Sequence, residues 1–343
     1  MEHTEGTPTA SGTAGQSPKK RPTIYDIAER LNLSPSTVSR ALGKPGRINA
    51  KTEAKIRDTA RELGYRINPM ARALPTGLTG TYAVVLPDIT NPVHFELIRG
   101  IEQVARTRGF TLVVSESQGS AESEWETISS LQLAVDGVLV VASRLDDERL
   151  AELARVTPVV AANHASASLP SVFPDAVSSL TAIMDHLEGL GHRSIAYLSP
   201  LDIGVTRVKW DLLFDIAIAR KMSIVEISIA GPTVDAGSDA LSRILASRAT
   251  AVVAYNDLVA HGVLRAARTA GVEVPEAFSL VGFDDIFSAE LASPPLTTIH
   301  TPLHEIGSQA MTLLIDPLTN REVTRITLPT DLIVRESTAA PKA

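Results

Sequence analysis

Thr23-Ile-Tyr-Asp-Ile-Ala-Glu-Arg-Leu-Asn-Leu-Ser-Pro-Ser-Thr-Val-Ser-Arg-Ala-Leu42 is the stretch on which the fold turns. Thr23 with Asp26 three residues on has the form of a capping box, which predicts a helix from Ile24 to about Leu31. Ile24, Ile27, Ala28 and Leu31 share one face of it. Asn32 to Ser34 make a turn, and Ser34 then serves as cap with Pro35 at the first helical position, where a missing N–H is harmless. A second helix follows to about Leu42, and Asn49 caps a third that ends at Leu63 before Gly64. The second helix turns Ser36, Thr37, Ser39 and Arg40 away from a seam of Val38 and Leu42. Hydroxyls and an arginine near a helix start suit phosphates and base edges in a major groove, although a purely structural three-helix bundle can share the pattern.

The charge distribution bears on that choice. Residues 19–75 hold 13 basic against 5 acidic side chains, a net +8, whereas residues 76–343 hold 19 basic against 32 acidic, a net −13. The overall −7 therefore averages a basic head and an acidic body. Such segregation fits a polyanion bound through one end, because each neutralised phosphate releases counterions. A solvated basic surface is the alternative for charge alone.

Residues 1–21 form a Thr/Gly/Ser/Pro-rich tail without apolar period and are expected to be disordered. Asn68, Pro69 and Met70 to Leu74, stopped by Pro75, predict a helix of barely two turns. Alone in water it is marginal, so something must order it. Beyond Gly80, short apolar runs alternate with amphipathic helices. The runs are Tyr82–Leu86, Thr111–Ser115, Gly137–Val141, Pro158–Ala162, Ser194–Leu198, Ile224–Ile229, Ala251–Tyr255 and Ser279–Phe283. Unbroken apolar strands are buried on both faces, so parallel sheets covered by helices are expected. Eight strands exceed one comfortable sheet, and Ser166–Pro174 is the expected crossover between two doubly wound halves.

These motifs together resemble the lactose- and galactose-repressor (LacI/GalR) family. In the head the resemblance rests on Thr23-Ile-Tyr-Asp-Ile-Ala, Ser34-Pro-Ser-Thr-Val-Ser-Arg-Ala-Leu, Asn49-Ala-Lys-Thr, Leu63-Gly-Tyr and Asn68-Pro-Met-Ala-Arg-Ala-Leu. In the body it rests on Pro87-Asp-Ile-Thr-Asn-Pro, Val135-Asp-Gly-Val, Leu190-Gly-His-Arg-Ser-Ile-Ala, Tyr255-Asn-Asp, Val281-Gly-Phe-Asp-Asp and Pro295-Leu-Thr-Thr-Ile. It implies an all-α helix-turn-helix head with a hinge helix, joined to an α/β two-lobed body like periplasmic binding proteins, built of two doubly wound parallel sheets. The expected divisions are the tail at 1–21, the DNA-binding domain at 22–66, hinge helix and linker at 67–79, and an effector-binding and dimerisation core at 80–338. Within that core, one lobe takes about 80–174 and 300–329, the other about 175–299 and 330–338.

The resemblance implies that Pro35, Ser36 and Arg40 face bases, that Thr23, Tyr25, Thr37, Ser39, Asn49 and Thr52 hold phosphates, and that Arg47 reaches DNA from a loop. Leu74 matches a leucine that wedges into the minor groove at the operator centre, an action suited to an apolar residue ending a short helix. The implied effector residues are Asp88, Val93, His94, Asn163, His164, Arg207, Asn256 and Asp284. Arg207 and Asp284 suit a small polar ligand as donor and acceptor, with surface pairing and helix capping as their plainer roles. Relatives commonly carry two aromatics at Val93 and His94, Asp-Arg or a similar pair at Asn163 and His164, Gly at Trp210, an aromatic near Pro232, and Arg or Lys at Pro75.

The expected function is a sequence-specific transcriptional regulator, a repressor, that binds a palindromic operator in double-stranded DNA as a homodimer. A small polar effector, a sugar or derivative on family grounds, would control it. Competing readings are a DNA-binding regulator without effector response, a solute-binding protein and a doubly wound enzyme. The last is opposed by the lack of nucleophile-elbow, P-loop and dinucleotide motifs. No cofactor or metal is expected: there is no cysteine, and Pro302 stands between His300 and His304. With no signal-like N-terminus and no apolar run near 18 residues, a cytoplasmic protein off the membrane is expected.

Overall fold

The computed structural model describes residues 22–43, 47–65, 77–201, 204–316 and 323–342, of which 204–206 by backbone alone. The tail, the helix expected at Asn68–Leu74, Leu74 itself and Pro75 lie outside the described residues. The chain divides into two compact units, 1–77 and 78–343.

The first unit holds helices α1 (Ile24–Leu31), α2 (Pro35–Gly43) and α3 (Ala50–Glu62). Each starts where a side chain satisfies free backbone donors. The Asp26 carboxylate accepts from the Thr23 N–H at 2.6 Å, Ser34 Oγ accepts from the Thr37 N–H at 3.2 Å, and Asn49 Oδ1 accepts from the Lys51 N–H at 2.9 Å. Ile27, Ala28, Val38, Ala41, Ile56 and Ala60 close a small core. At about 1.5–3 kcal/mol for each large aliphatic buried, this core holds the unit's three short helices in place.

In the second unit the chain first runs β1 (Thr81–Leu86), α4 (Val93–Thr107), β2 (Thr111–Glu116), α5 (Ala121–Leu131), β3 (Gly137–Val141), α6 (Asp147–Ala154), β4 (Val159–Ala162) and β5 (Ser171–Pro174). It continues with α7 (Ala176–Gly189), β6 (Ser194–Pro200), α8 (Gly204–Ala219), β7 (Ser223–Ile229), α9 (Val234–Asp239), α10 (Leu241–Ser247), β8 (Ala251–Ala254), α11 (Asp257–Thr269), β9 (Ser279–Asp284) and β10 (Thr297–His300). It ends with α12 (Leu303–Ile315), β11 (Arg325–Leu328) and β12 (Asp331–Ile333).

These strands form two sheets, ordered β11-β5-β4-β3-β1-β2 and β12-β10-β9-β8-β6-β7. Both are doubly wound, reversing direction at β1 and β6, which opens a crevice at the strand C-termini. Four strands go beyond the eight apolar runs. Ser171–Pro174 is one of them, so the expected crossover segment instead ends in a strand of the first lobe, and the passage follows at Asp175. The chain passes between lobes again after β10 and after β11. The pairing is not wholly parallel either, since β12 runs antiparallel to β10 at the sheet edge.

Close helix pairs seal each lobe. A Cβ at Gly100 would stand 2.0 Å from the His304 carbonyl oxygen, and one at Gly307 2.2 Å from that of Leu97. Only glycine lets α4 and α12 approach so nearly. Gly237 and Gly262 do the same for α9 and α11.

Candidate functional site

In the helical unit, α2 presents its polar face to solvent. Ser36, Ser39 and Arg40 are exposed, Pro35 and Thr37 half-buried, and Val38 and Ala41 buried beneath them. The hydroxyls of Ser36 and Thr37 lie 2.9 and 2.8 Å from Ser34 Oγ, which fixes the first turn. Among the described residues Arg40 has no ion pair, so its guanidinium is available to a partner. Tyr25, Arg47 and Asn49 are exposed, and Thr23 and Thr52 half-buried. Thr23 Oγ1 donates to Asp26 at 2.8 Å, which commits that hydroxyl to the cap.

The second unit encloses a cavity of about 710 Å³ at the strand C-termini of both lobes, a size suited to a small molecule. Asp88, Val93, His94, Asn163, His164, Asn256 and Asp284 line it. The backbone at several strand ends is left-handed: Ala142 has φ 45°, Asn163 52° and Asp284 104°. Each such residue costs about 1–3 kcal/mol, and their clustering marks a site where the surrounding structure imposes the geometry.

His94 is buried with neither ring nitrogen partnered, and His164 Nδ1 is likewise buried without a partner. Burial pushes the His94 imidazole down to about 4, against a smaller upward pull from Asp88, and lowers His164 as well. Both rings are therefore neutral near pH 7, each offering one donor and one acceptor. Unmet buried groups are rare in folded proteins, and those facing a cavity are suited to a ligand.

The acids nearby are mostly committed. Asp88 accepts from the Thr90 N–H and hydroxyl at 2.8 and 2.6 Å, Glu116 from the Ile89 N–H at 3.1 Å, and Asp175 from the Ser178 N–H and hydroxyl at 3.1 and 2.6 Å. Asn256 caps α11 through the Val259 N–H at 3.0 Å and donates to the Pro232 carbonyl at 3.4 Å, so it serves as cap while facing the cavity. Burial, partly offset by the charge of Lys209, raises Asp284 to about 6.

Arg207 is not in the cavity. It is largely exposed and pairs with Asp211 at 3.4 Å along α8. Trp210 explains the difference: it stacks on buried Tyr197 at 6.3 Å, and this contact fixes the rotation of α8. At about 100° per residue, Val208, Lys209 and Leu212 then reach the cavity while Arg207 and Asp211 point elsewhere. Lys209 lies two positions beyond the arginine that pattern selects, and its sequence signals are the bulky Trp210 beside it and the buried Leu213 and Ala217 four and eight residues on.

Two further residues were not legible. Arg144 lines the wall of the first lobe, on a loop that buried Glu124 holds by accepting from the Ser143 hydroxyl at 2.5 Å and the Arg144 N–H at 2.8 Å. Asp257, buried behind Asp284, accepts from the Thr298 hydroxyl and the Ile286 N–H. His300 and His304 diverge, to Asp285 and Gln103 respectively.

Residues 23–68 match the model of bacterial regulatory proteins, lacI family, and residues 184–338 that of a periplasmic binding protein-like domain. The HTH-type transcriptional repressor CytR of Escherichia coli (strain K12) is 32% identical over 333 residues, 93% of this chain and 96% of that one. The chain belongs to the lacI family of bacterial regulatory proteins. A crystal structure of the Lac repressor dimer bound to operator and the anti-inducer ONPF shares the fold at TM-score 0.84 and 24% identity, over 94% of this chain and 100% of that one. A LacI family transcriptional regulator from Enterococcus faecalis V583 with bound ribose is 29% identical at TM-score 0.68, over 76% of this chain and 100% of that one. This lacI-family chain is a DNA-binding transcriptional repressor and not an enzyme. Among its described residues no helix is long and apolar enough to cross a membrane.

Proposed function

We propose that the chain binds a palindromic operator as a homodimer in the cytoplasm, and that a small polar effector in the cavity changes its hold on DNA. The observation that carries the effector reading is the neutral His94 ring, both of whose nitrogens are buried and unpartnered, together with the unpartnered Nδ1 of His164, on the lining of a cavity of about 710 Å³. The ribose bound by the Enterococcus faecalis relative supports a sugar or sugar derivative.

In the head, Arg40 carries the base reading, since its planar fork fits the guanine edge, with Pro35 and Ser36 beside it. Thr23, Tyr25, Thr37, Ser39, Asn49 and Thr52 hold phosphates, Arg47 reaches DNA from its loop, and Leu74 wedges the operator centre. Apolar surface in the body supports self-association: Val113 and Val114 on the edge strand β2, and Phe287 and Leu291 after β9, are exposed. Residues 22–66 form the reader, 67–79 the hinge and 80–338 the effector and dimer core. A ligand that favours one of two body conformations shifts DNA affinity by the difference in its affinity for the two.

Selection from randomised duplex DNA, followed by sedimentation of the complex, tests this. A palindromic consensus bound by two chains supports the reading, while a non-palindromic site held by one chain contradicts it.

A further inference from the structure

Lys209 is the feature of the cavity that family likeness does not account for. Its Nζ lies 3.7 Å from the centre of the Phe283 ring and 4.8 Å from that of Tyr255. Among the described residues it makes no ion pair and no hydrogen bond. The ammonium thus rests on aromatic faces with its three N–H donors unused, at a wall of the cavity, where burial disfavours its charge and Asp284 supports it. Asp284 is the acid whose charge it meets, whereas Asp88, Glu116 and Asp175 accept N–H bonds within their own loops. Asp284 stands near enough for their charges to interact and is left as an acceptor on the same wall. Across the cavity, His94 and His164 offer neutral groups of mixed donor and acceptor character. An oxyanion would complete Lys209 with charge-assisted hydrogen bonds, the strongest the cavity can make.

We propose that the effector is a hydroxylated acid whose anionic group, a carboxylate or phosphate ester, binds the Lys209 ammonium while its hydroxyls meet Asp284, His94 and His164. This rests on the reading of the cavity as the effector site. Neutral sugars would give the lysine no charge beyond that of Asp284 and bind more weakly. Lys209 is then the residue that determines specificity, in the role that pattern gives to Arg207.

Isothermal titration of the full chain with gluconate, glucuronate and glucose 6-phosphate, against glucose and glucitol, tests the inference. At least one acid is expected to bind about tenfold or more tightly than its neutral counterpart, and the comparison of gluconate with glucose 6-phosphate identifies the anionic group. Lys209→Met should remove that preference, and Lys209→Arg should keep it. Should Lys209→Met fail to fold, the preference of the unaltered chain still decides. Equal or tighter binding of neutral sugars, or an acid preference that survives Lys209→Met, overturns the inference and leaves the effector reading standing. Failure of both sets to bind a chain that still binds DNA contradicts the effector reading and the inference together.

Discussion

Asp257 Oδ1 accepts a 2.6 Å hydrogen bond from the Thr298 hydroxyl, joining the first residue of α11 to strand β10 in the interior of the second lobe. Its other oxygen accepts from the Ile286 N–H at 2.8 Å and so fixes the loop that carries Asp284. Burial, with neighbouring Asp284 and Asp285, lifts this carboxyl to about 8 from an ordinary value of 3.8. Between those values the folded state binds more protons than the unfolded chain, so stability falls as pH rises from about 4 to about 8. Asp257→Asn is expected to flatten the melting temperature of the chain between pH 5 and 8. An undiminished decline in that variant contradicts the assignment.

His94 contributes in the opposite sense. Its ring is neutral in the fold down to about pH 4, while the unfolded chain takes up a proton near 6.5. The unfolded state therefore gains protons first, and stability falls as pH drops from about 6.5 to about 4. Ring NMR signals of His94 should remain those of a neutral imidazole at pH 5.5. An inflection near 6.5 would show that the ring is open to water.

Arg40→Ala is expected to lose about 1–3 kcal/mol of discrimination between selected and scrambled duplexes, measured by competition binding. Equal loss on both would place Arg40 on phosphate instead.

Gly307→Ala inserts a methyl against the Leu97 carbonyl, where helices α4 and α12 meet. The helices must part, at a cost of about 1–3 kcal/mol, and the thermal midpoint of the full chain should fall. An unchanged midpoint would mean that the helices separate freely.

Much of this was legible in the sequence because local chemistry decides it. Thr23 with Asp26, Ser34 before Pro35, and Asn49 each start a helix by meeting backbone donors within a few residues, and six of the eight apolar strands are buried on both faces as expected, the edge strands β2 and β7 being partly exposed. Strands β5, β11 and β12 were not legible, being three or four residues long and interrupted by polar side chains or Pro174. Their pairing depends on partners far along the chain. Arg207 and Lys209 are a different case. Both lie on one helix, and which of them faces inward depends on Trp210 stacking against Tyr197 from another element. The stripe of Arg207, Asp211 and Asp215, opposite buried Leu213 and Ala217, carries the same rotation in its spacing.

The link between cavity and reader is tested most directly by fluorescence anisotropy on a selected palindromic duplex. The full chain is titrated with and without a saturating amount of whichever panel compound calorimetry shows to bind. The account predicts a change in DNA Kd of about tenfold or more in one direction, within the usual range of coupling between sites, and a markedly smaller change in His94→Ala at the same ligand concentration. An identical Kd with the cavity filled and unfilled would contradict it.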